Sequence, residues 1–295
     1  MRAAILGTGS WGTAFGRHLA ASWDKVTLWG IEASQVSAVA DDHRNPDFFG
    51  DLVLPDNLTA TLDLAEALVD VDAVFVVLPS QAVREVAVKV RECGLPAGVP
   101  VVSMSKGLEL STLKRLSTVL NEELGQDAAS RHPIGVLLGP SHAEEVVRGL
   151  PTAVVLAGQG AGWHEWQPRL SSSTFRVYTN HDAVGVEIAS AFKNVIAIAV
   201  GVCDGLELGD NTRGTVMTRG LSEMARLGVA LGGHHETFYG LAGIGDMITT
   251  CTSHHSRNRN YGEAVARAVE DPQSLLDHSA QVVEGAVMTQ AALKL

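Results

Sequence analysis

Positive charge is in short supply in this sequence: 22 Lys and Arg against 33 Asp and Glu leave a net charge of −11 over 295 residues. A surface of that sign repels nucleic acid and anionic membranes, so an anionic ligand is admitted only where basic side chains gather in one cleft. Cysteine is scarce too. Cys93, Cys203 and Cys251 are odd in number, widely spaced and set among apolar residues. They predict reduced core thiols of a cytoplasmic protein and exclude a disulfide framework or a cysteine-based metal site. Internal repeats, low-complexity tracts and charge runs are absent from the sequence. One basic residue precedes the first strand-like run at Ala3, which argues against a signal peptide. The most membrane-like stretch, 183-AVGVEIASAFKNVIAIAVGVCDG-205, carries Glu187 and Lys193 in mid-span. Such charges are expensive in lipid, so the stretch reads as a buried helix of a soluble domain. What is present is 46% hydrophobic and 19% charged residues, enough chain for about two domains with a substantial core.

From residue 1 to about 180, short β-branched runs alternate with helix-length segments. The runs are 2-RAAILG, 25-KVTLWG, 72-DAVFVVLP, 100-PVVSMSKG, 134-IGVLLGPS, 152-TAVVLAG and 175-FRVYTN; 81-QAVREVAVKVRECG is one of the helical segments. Runs that are apolar on both faces and joined by helices predict βαβ units and a mostly parallel, doubly wound, Rossmann-like sheet. After about residue 181 the alternation stops. The run through Lys193 is followed by helical patterns at 214–233, 236–252 and 261–271. The shift predicts a boundary near 180–185, with a first domain over 1–181 and an all-α second domain over 182–295.

Within the first run, 5-ILGTGSWGTAFGRHLA-20 spaces Gly7, Gly9 and Gly12 as GxGxxG. The spacing alone is weak, but here it follows a strand, opens a helix and is followed by a second strand. Gly7 then permits the tight turn, Gly9 lets the backbone approach a pyrophosphate, and Gly12 lets helix and strand pack closely. The pyrophosphate sits on unpaired N–H groups where the helix dipole favours an anion. Glu32 stands 20 residues after Gly12, at the end of the second strand, where a carboxylate accepts hydrogen bonds from ribose hydroxyls. It favours the free 2′-hydroxyl of NAD over the 2′-phosphate of NADP, and no Arg or Lys lies between Gly30 and Ala40 to offset it; Arg44 follows on the next loop.

Three places bring chemistry to that cradle. In 103-SMSKGLE-109, Lys106 leaves an apolar strand and overhangs the crevice where ligands collect; in 138-LGPSHAEE-145, Gly139, Pro140 and Ser141 turn into a helix with open N–H donors. A solvated loop lysine is the bland alternative for Lys106. Lys193 lies in 186-VEIASAFKNVIAIAVG-201 with apolar neighbours on every side. Burying an ammonium is costly unless it is paired or functional, and burial moves its pKa towards the range of proton exchange. Asp246, in a Gly-bounded apolar helix start, is a candidate buried partner. Downstream, Ser256, Arg257, Asn258 and Arg259 offer hydroxyl, guanidinium and amide donors close together, the set that grips a phosphate. The pairs His234–His235 and His254–His255 suggest a metal, but adjacent histidines diverge on a helix and no Cys or carboxylate completes a set. They are expected to be exposed loop histidines, with no metal.

With these residues laid out, the sequence resembles the bacterial-type NAD(P)-dependent glycerol-3-phosphate dehydrogenases along essentially its whole length. The resemblance rests on GxGSWGTA (Gly7 to Ala14), SKGLE (Ser105 to Glu109), GPSxAxE (Gly139 to Glu145) and FKNVIAIAVGVCDGLELGDN (Phe192 to Asn211). It continues through TRGLSEMARLGVALGG (Thr218 to Gly233), AGIGDMITTCTS with SRNRNYG (Ala242 to Gly262), and QVVEG (Gln281 to Gly285). It implies that Lys193 is the catalytic lysine, exchanging the proton of the substrate C2 oxygen, with Lys106 and Asp246 orienting and polarising that carbonyl. Two lysines near one oxygen are then expected to lower each other's pKa. The resemblance further implies substrate contacts at Gly139, Ser141, Ser256, Arg257 and Asn258, with Arg257 on the phosphate. It implies cofactor contacts at Ser10, Trp11, Arg44, Lys106, Ala143, Arg257, Val282 and Glu284. The implied reaction interconverts dihydroxyacetone phosphate and sn-glycerol 3-phosphate with NAD(P)H, for phospholipid synthesis, in a cytoplasmic homodimer. Members of the family continue some tens of residues past VVEG, so a chain ending at 289-TQAALKL-295 predicts a second domain short at its C-terminal end. Two rivals stay open: a catalytically idle NAD(P)-binding sensor and a related two-domain hydroxyacid dehydrogenase. The intact set Lys106, Lys193 and Asp246 argues against the first, and the SRNR cluster against the second.

Overall fold

The computed structural model describes residues 1–125, 132–158, 162–268 and 283–295. Eight strands, β1 (Arg2–Leu6), β2 (Lys25–Trp29), β3 (Leu58–Thr61), β4 (Ala73–Val76), β5 (Val101–Ser103), β6 (Ile134–Leu138), β7 (Thr152–Gly158) and β8 (Phe175–Asn180), form one sheet. Their order is β3-β2-β1-β4-β5-β6-β7-β8. All neighbours are parallel except β6 and β7. The predicted doubly wound, mostly parallel sheet is present. In register, Ile5 stands beside both Leu28 and Phe75. Side chains alternate between two apolar layers: Ala3 and Ile5 join Phe15, Leu28 and Phe75 on one face, Ala4 and Leu6 join Val74, Val83 and Val86 on the other. β3 has no counterpart among the runs read from the sequence. At four half-polar residues, 58-LTAT is a strand because β2 offers it a parallel edge.

In the sheet region the helices are α1 (Ser10–Ala20), α2 (Ala33–Asp41), α3 (Pro46–Phe49), α4 (Leu64–Ala67), α5 (Val83–Glu92), α6 (Leu116–Leu124), α7 (Ala143–Val146) and α8 (Trp163–Leu170). After β8 come α9 (Ala183–Gly205), α10 (Gly209–Ala230), α11 (His235–Phe238), α12 (Asp246–Thr252), α13 (Arg257–Arg267) and α14 (Glu284–Ala292). The strand–helix alternation therefore ends at β8, and helices alone follow among the described residues. Three helical expectations shift. The pattern at 214–233 is a helix from Gly209 to Ala230; of that at 261–271, residues 269–271 lie outside the described residues, and the helix before them runs from Arg257 to Arg267. The pattern at 236–252 is not one helix: α11 ends at Phe238, a π-turn spans Leu241–Gly245, and α12 starts at Asp246. Glycine suits this turn, because a side chain at Gly243 would meet the Phe238 carbonyl at 2.1 Å. Cys203 and Cys251 are buried, but Cys93 is exposed at the end of α5 and is not a core thiol.

Helix α9 is the axis of the helical part, packed by α10, α12, α13 and α14. Among the described residues it alone is long and apolar enough to cross a membrane; 78% of that window is buried inside the protein. Its two acidic residues near the start are anchored. The Asp182 carboxylate caps the helix on Gly185 N (2.8 Å) and accepts from His234 N (2.8 Å) and Thr237 Oγ1 (2.6 Å). Glu187 accepts from Ser117 N (2.9 Å) in the first turn of α6 and from Arg115 Nη1 (2.8 Å), which fastens α9 to the sheet region. α13 crosses α9 at backbone distance. A Cβ at Gly201 would lie 2.0 Å from the Arg259 carbonyl, and one at Gly262 2.1 Å from that of Ile198.

Candidate active site

The loops after β1, β4, β5 and β6 leave the same carboxyl edge of the sheet, and the order reverses between β1 and β4. That reversal is where open α/β sheets take their ligands. The loop after β1 has the geometry of a dinucleotide cradle. Gly7 has φ +136°, and a Cβ there would lie 2.2 Å from the Val77 carbonyl; at Gly12 it would lie 2.1 Å from Gly7 O. A Cβ at Gly9 meets nothing within 4 Å, so the backbone at the start of α1 is open to an approaching group. Gly9 is the N-cap residue of α1 and supplies no side-chain cap, which leaves the first N–H groups of Ser10 and Trp11 for an anion. These residues fit a dinucleotide pyrophosphate. The loop is held from behind by Asn45, fully buried, whose Nδ2 donates to Thr8 O (2.8 Å) and Thr13 Oγ1 (2.8 Å). Trp11 is half-buried against Phe15 and Phe175. Glu32 is exposed at the N-cap of α2, directly after β2, and the exposed Arg44 pairs with Asp51 at 3.2 Å.

Four side chains meet at the same edge. Lys193 Nζ, on α9, donates to Asp246 Oδ1 (2.6 Å) and to Thr250 Oγ1 (2.6 Å) on α12. Thr250 Oγ1 in turn donates a hydrogen bond to the backbone carbonyl of Asp246 at 2.7 Å. Lys106 Nζ, on the loop after β5, reaches Asp246 Oδ2 and the Gly139 carbonyl, both at 3.4 Å. Exposure divides the lysines: the Lys193 and Asp246 side chains are 3% and 2% exposed, that of Lys106 25%. Burial draws the Lys193 ammonium down to about 7; the Asp246 carboxylate opposes that shift and Lys106 adds to it. Burial, not the second lysine, is therefore the larger cause. Ser141 Oγ donates to Gly139 O at 3.0 Å, and Ala143 is buried as the first residue of α7.

The donor cluster of the sequence divides. Ser256 is buried and caps α13, its Oγ accepting from Arg259 N at 3.3 Å. Arg257 is exposed as the first residue of α13. Asn258 Nδ2 donates to Asn194 Oδ1 (3.0 Å), the residue after Lys193, while its Oδ1 accepts from Gly285 N (2.8 Å). Arg259 turns away from this group: its Nε donates to Asp204 Oδ2 (2.7 Å), and Asp204 also holds Arg213. Arg259 thus fixes α13 on α9 and α10. Glu284 accepts from Ser80 N (3.2 Å) and Ser80 Oγ (2.9 Å) on the loop after β4. Burial raises its carboxyl above the ordinary range, against the pull of those bonds and of Arg257. Val282 lies outside the described residues. The histidines are not all exposed loop residues: His234 and His254 are exposed, His235 is exposed but opens α11, and His255 is half-buried with its ring 3.9 Å from that of His254.

Sequence reasoning passed over Thr250, Asn194, Asn45 and Asp204. Thr250 had a signal, because Asp246 and Thr250 are four residues apart and share one helix face. The other three act across elements and had none.

The family model described as NAD-dependent glycerol-3-phosphate dehydrogenase N-terminus matches residues 2–163, and its C-terminus counterpart matches residues 182–295. The chain is 47% identical to a glycerol-3-phosphate dehydrogenase (NAD(P)+) of Moorella thermoacetica over 293 residues, covering 99% of this chain and 85% of that one. It is 43% identical to the enzyme of the same name from Enterococcus faecalis, over all of this chain and 86% of that one. The crystal structure of glycerol-3-phosphate dehydrogenase from Coxiella burnetii superimposes with a TM-score of 0.92 at 38% identity, over 99% of this chain and 88% of that one. By sequence, by fold and by both halves of its length, the chain belongs to the NAD-dependent glycerol-3-phosphate dehydrogenase family.

Proposed function

We propose that this enzyme reversibly reduces dihydroxyacetone phosphate to sn-glycerol 3-phosphate with a nicotinamide dinucleotide. The observation that carries the reading is the buried Lys193–Asp246–Thr250 contact, with Lys106 on the other carboxylate oxygen, beside the start of α13. In this reading residues 1–181 hold the dinucleotide, through Gly7, Gly9, Ser10, Trp11 and Gly12, with Glu32 on the ribose. Arg44, Lys106, Ala143, Arg257, Val282 and Glu284 complete its surroundings. Residues 182–295 supply most of the substrate site. When bound, the reduced nicotinamide supplies the hydride that C2 of the ketone accepts. Lys193 Nζ gives a proton to the C2 oxygen as its π bond breaks, and Lys106 stabilises the developing alkoxide. Asp246 and Thr250 hold the ammonium in place without competing for the substrate. Arg257, Ser256 and Asn258 grip the phosphate, and Gly139 and Ser141 line the opposite side. The free carboxylate of Glu32 supports NAD over NADP. A cytoplasmic homodimer supplying phospholipid synthesis is the setting we infer.

The direct test follows absorbance of the reduced nicotinamide on mixing with dihydroxyacetone phosphate, with NADH and NADPH in parallel. Oxidation of NADH that requires the phosphorylated ketone is the expected result; consumption with an unphosphorylated hydroxyacid partner instead would sink the substrate assignment. Arg257→Ala should raise KM for dihydroxyacetone phosphate by roughly tenfold to a hundredfold, the value of one charge-assisted hydrogen bond, with a smaller change in kcat. An effect seen only in cofactor affinity contradicts the phosphate role.

The lowered Lys193 pKa sets opposite pH limbs for the two directions. Ketone reduction needs the protonated amine, so kcat should be level below about 7 and fall above it. Alcohol oxidation needs the neutral amine and should rise to a plateau above the same pH. The sign for stability follows. An unfolded lysine keeps its proton to about 10.4. Between about 7 and that value the native state binds fewer protons, and this group's contribution to stability rises with pH. Initial rates in both directions check the first statement; limbs of the same sign in both would remove Lys193 as the proton donor.

A further inference from the structure

Lys106 is held less firmly by its side chain than Lys193. Its Nζ lies 3.4 Å from both Asp246 Oδ2 and the Gly139 carbonyl, whereas Lys193 makes two contacts of 2.6 Å. Charge-assisted hydrogen bonds run to about 2.7–2.9 Å, so contacts of 3.4 Å do little to fix a long, flexible ammonium side chain. The backbone of the loop after β5 must supply the restraint. We propose that Glu109, clamped by Arg84, is the positioning residue for Lys106: the pair fixes the loop three residues beyond the lysine and so sets where its ammonium stands against the substrate oxygen.

This role rests on that of Lys106 in the proposed reaction and deepens it. Glu109 closes the SKGLE stretch, is buried, and has no part in the chemistry assigned above. One guanidinium engages both its oxygens: Arg84 Nε donates to Oε1 (2.6 Å) and Arg84 Nη2 to Oε2 (2.9 Å). A fork of two parallel bonds fixes direction as well as distance, which a single contact does not. The clamp is anchored on rigid structure. Arg84 stands in the first turn of α5, and its Nη1 and Nη2 also donate to Glu123 (2.6 Å) and Glu122 (2.9 Å) of α6. Two further straps frame the lysine. Upstream, Ser105 Oγ accepts from Leu78 N at 2.9 Å. Downstream, the Gln81 amide donates to Leu108 O (2.8 Å) and accepts from Leu110 N (3.0 Å). Lys106 and Gly107 span the gap between these anchors, and Gly107 turns there with φ +129°. Gln81 is exposed and its bonds are neutral, so water competes for them; Glu109 is buried and its bonds are charge-assisted, which makes it the stronger hold.

The test is a cycle over four forms of the enzyme: wild type, Glu109→Ala, Lys106→Met and the double variant. Single-turnover reduction of dihydroxyacetone phosphate, with enzyme and NADH in excess, reads the hydride-transfer rate, and thermal melts confirm that each form is folded. Glu109→Ala should slow the transfer by roughly tenfold to a hundredfold, the effect of moving a catalytic group by about 1 Å. In the Lys106→Met background the same substitution should cost less than about threefold, because a residue that acts through Lys106 has nothing left to place. A residue that merely supports the fold would cost the same in both. Should Glu109→Ala fail to fold, Glu109→Gln, which keeps the volume and loses the fork, carries the same cycle. Equal losses in the two backgrounds overturn the proposal, and so does a wild-type rate in Glu109→Ala, which would show that the other straps suffice. A Lys106→Met enzyme as fast as the wild type overturns the role of Lys106 itself, and a wild type that leaves dihydroxyacetone phosphate unreduced overturns the functional reading; this role falls with either.

Discussion

Lys193→Met is expected to lower kcat for dihydroxyacetone phosphate reduction by roughly 10³- to 10⁴-fold, while NADH binds with unchanged affinity. The side chain is 3% exposed, and its Nζ is 2.6 Å from both Asp246 Oδ1 and Thr250 Oγ1. Methionine keeps an unbranched apolar stem to pack along α9, one atom shorter than lysine, but cannot carry a proton. The variant also removes a partner from the Asp246 carboxylate, 2% exposed, which retains Lys106 at 3.4 Å. Breaking a buried pair costs roughly 3–5 kcal/mol of stability when nothing replaces the lost partner. The remaining lysine should reduce that figure, and the assay belongs well below the melting temperature. Stopped-flow measurement of hydride transfer with enzyme in excess separates chemistry from product release. A near-wild-type single-turnover rate would falsify the assignment of Lys193 as proton donor, and a variant that no longer binds NADH would show that the substitution had disturbed more than the site.

The second large effect comes from a pair of glycines three residues apart. Gly12→Ala should weaken NADH binding by at least about a hundredfold and also destabilise the protein by roughly 1–3 kcal/mol, the usual cost of forcing a methyl group into a filled space. Its Cβ would lie 2.1 Å from the Gly7 carbonyl, where only backbone movement gives relief. That movement displaces the turn on which the pyrophosphate would rest. Gly9→Ala should behave differently. Its φ of −65° suits any residue, and its Cβ meets no atom within 4 Å, so stability should change by less than about 1 kcal/mol. Affinity should nevertheless fall by roughly tenfold to a hundredfold, because the methyl group stands in front of the Ser10 and Trp11 N–H groups. Thermal melts with and without NADH, beside titrations, distinguish the two variants. Wild-type affinity in Gly9→Ala would place the pyrophosphate elsewhere.

Much of this molecule was legible along the chain because the physics involved is local. Apolar runs of β length, joined by helical patterns, announce a parallel sheet whose strands are covered on both faces. Three glycines after the first strand announce a turn that no larger residue fits. A lysine in a 23-residue apolar helix announces a charge that needs a partner. The sequence by itself determined these: the doubly wound sheet, the glycine cradle, the change to helices after Asn180 and the identity of the buried charge.

Tertiary structure alone decided who meets whom. Lys193 and Asp246 are 53 positions apart, and Asn194 and Asn258 are 64 apart. No periodicity spans such separations; the packing of α12 and α13 on α9 sets them, and at Gly201 and Gly262 the backbones of α9 and α13 touch. The packing of α13 on α9 took Arg259 from the donor cluster to Asp204. β3 is a strand only because β2 lends it an edge. Hydrophobic period and glycine spacing are properties of neighbours along the chain, whereas a hydrogen bond between helices exists only once burial has paired their faces.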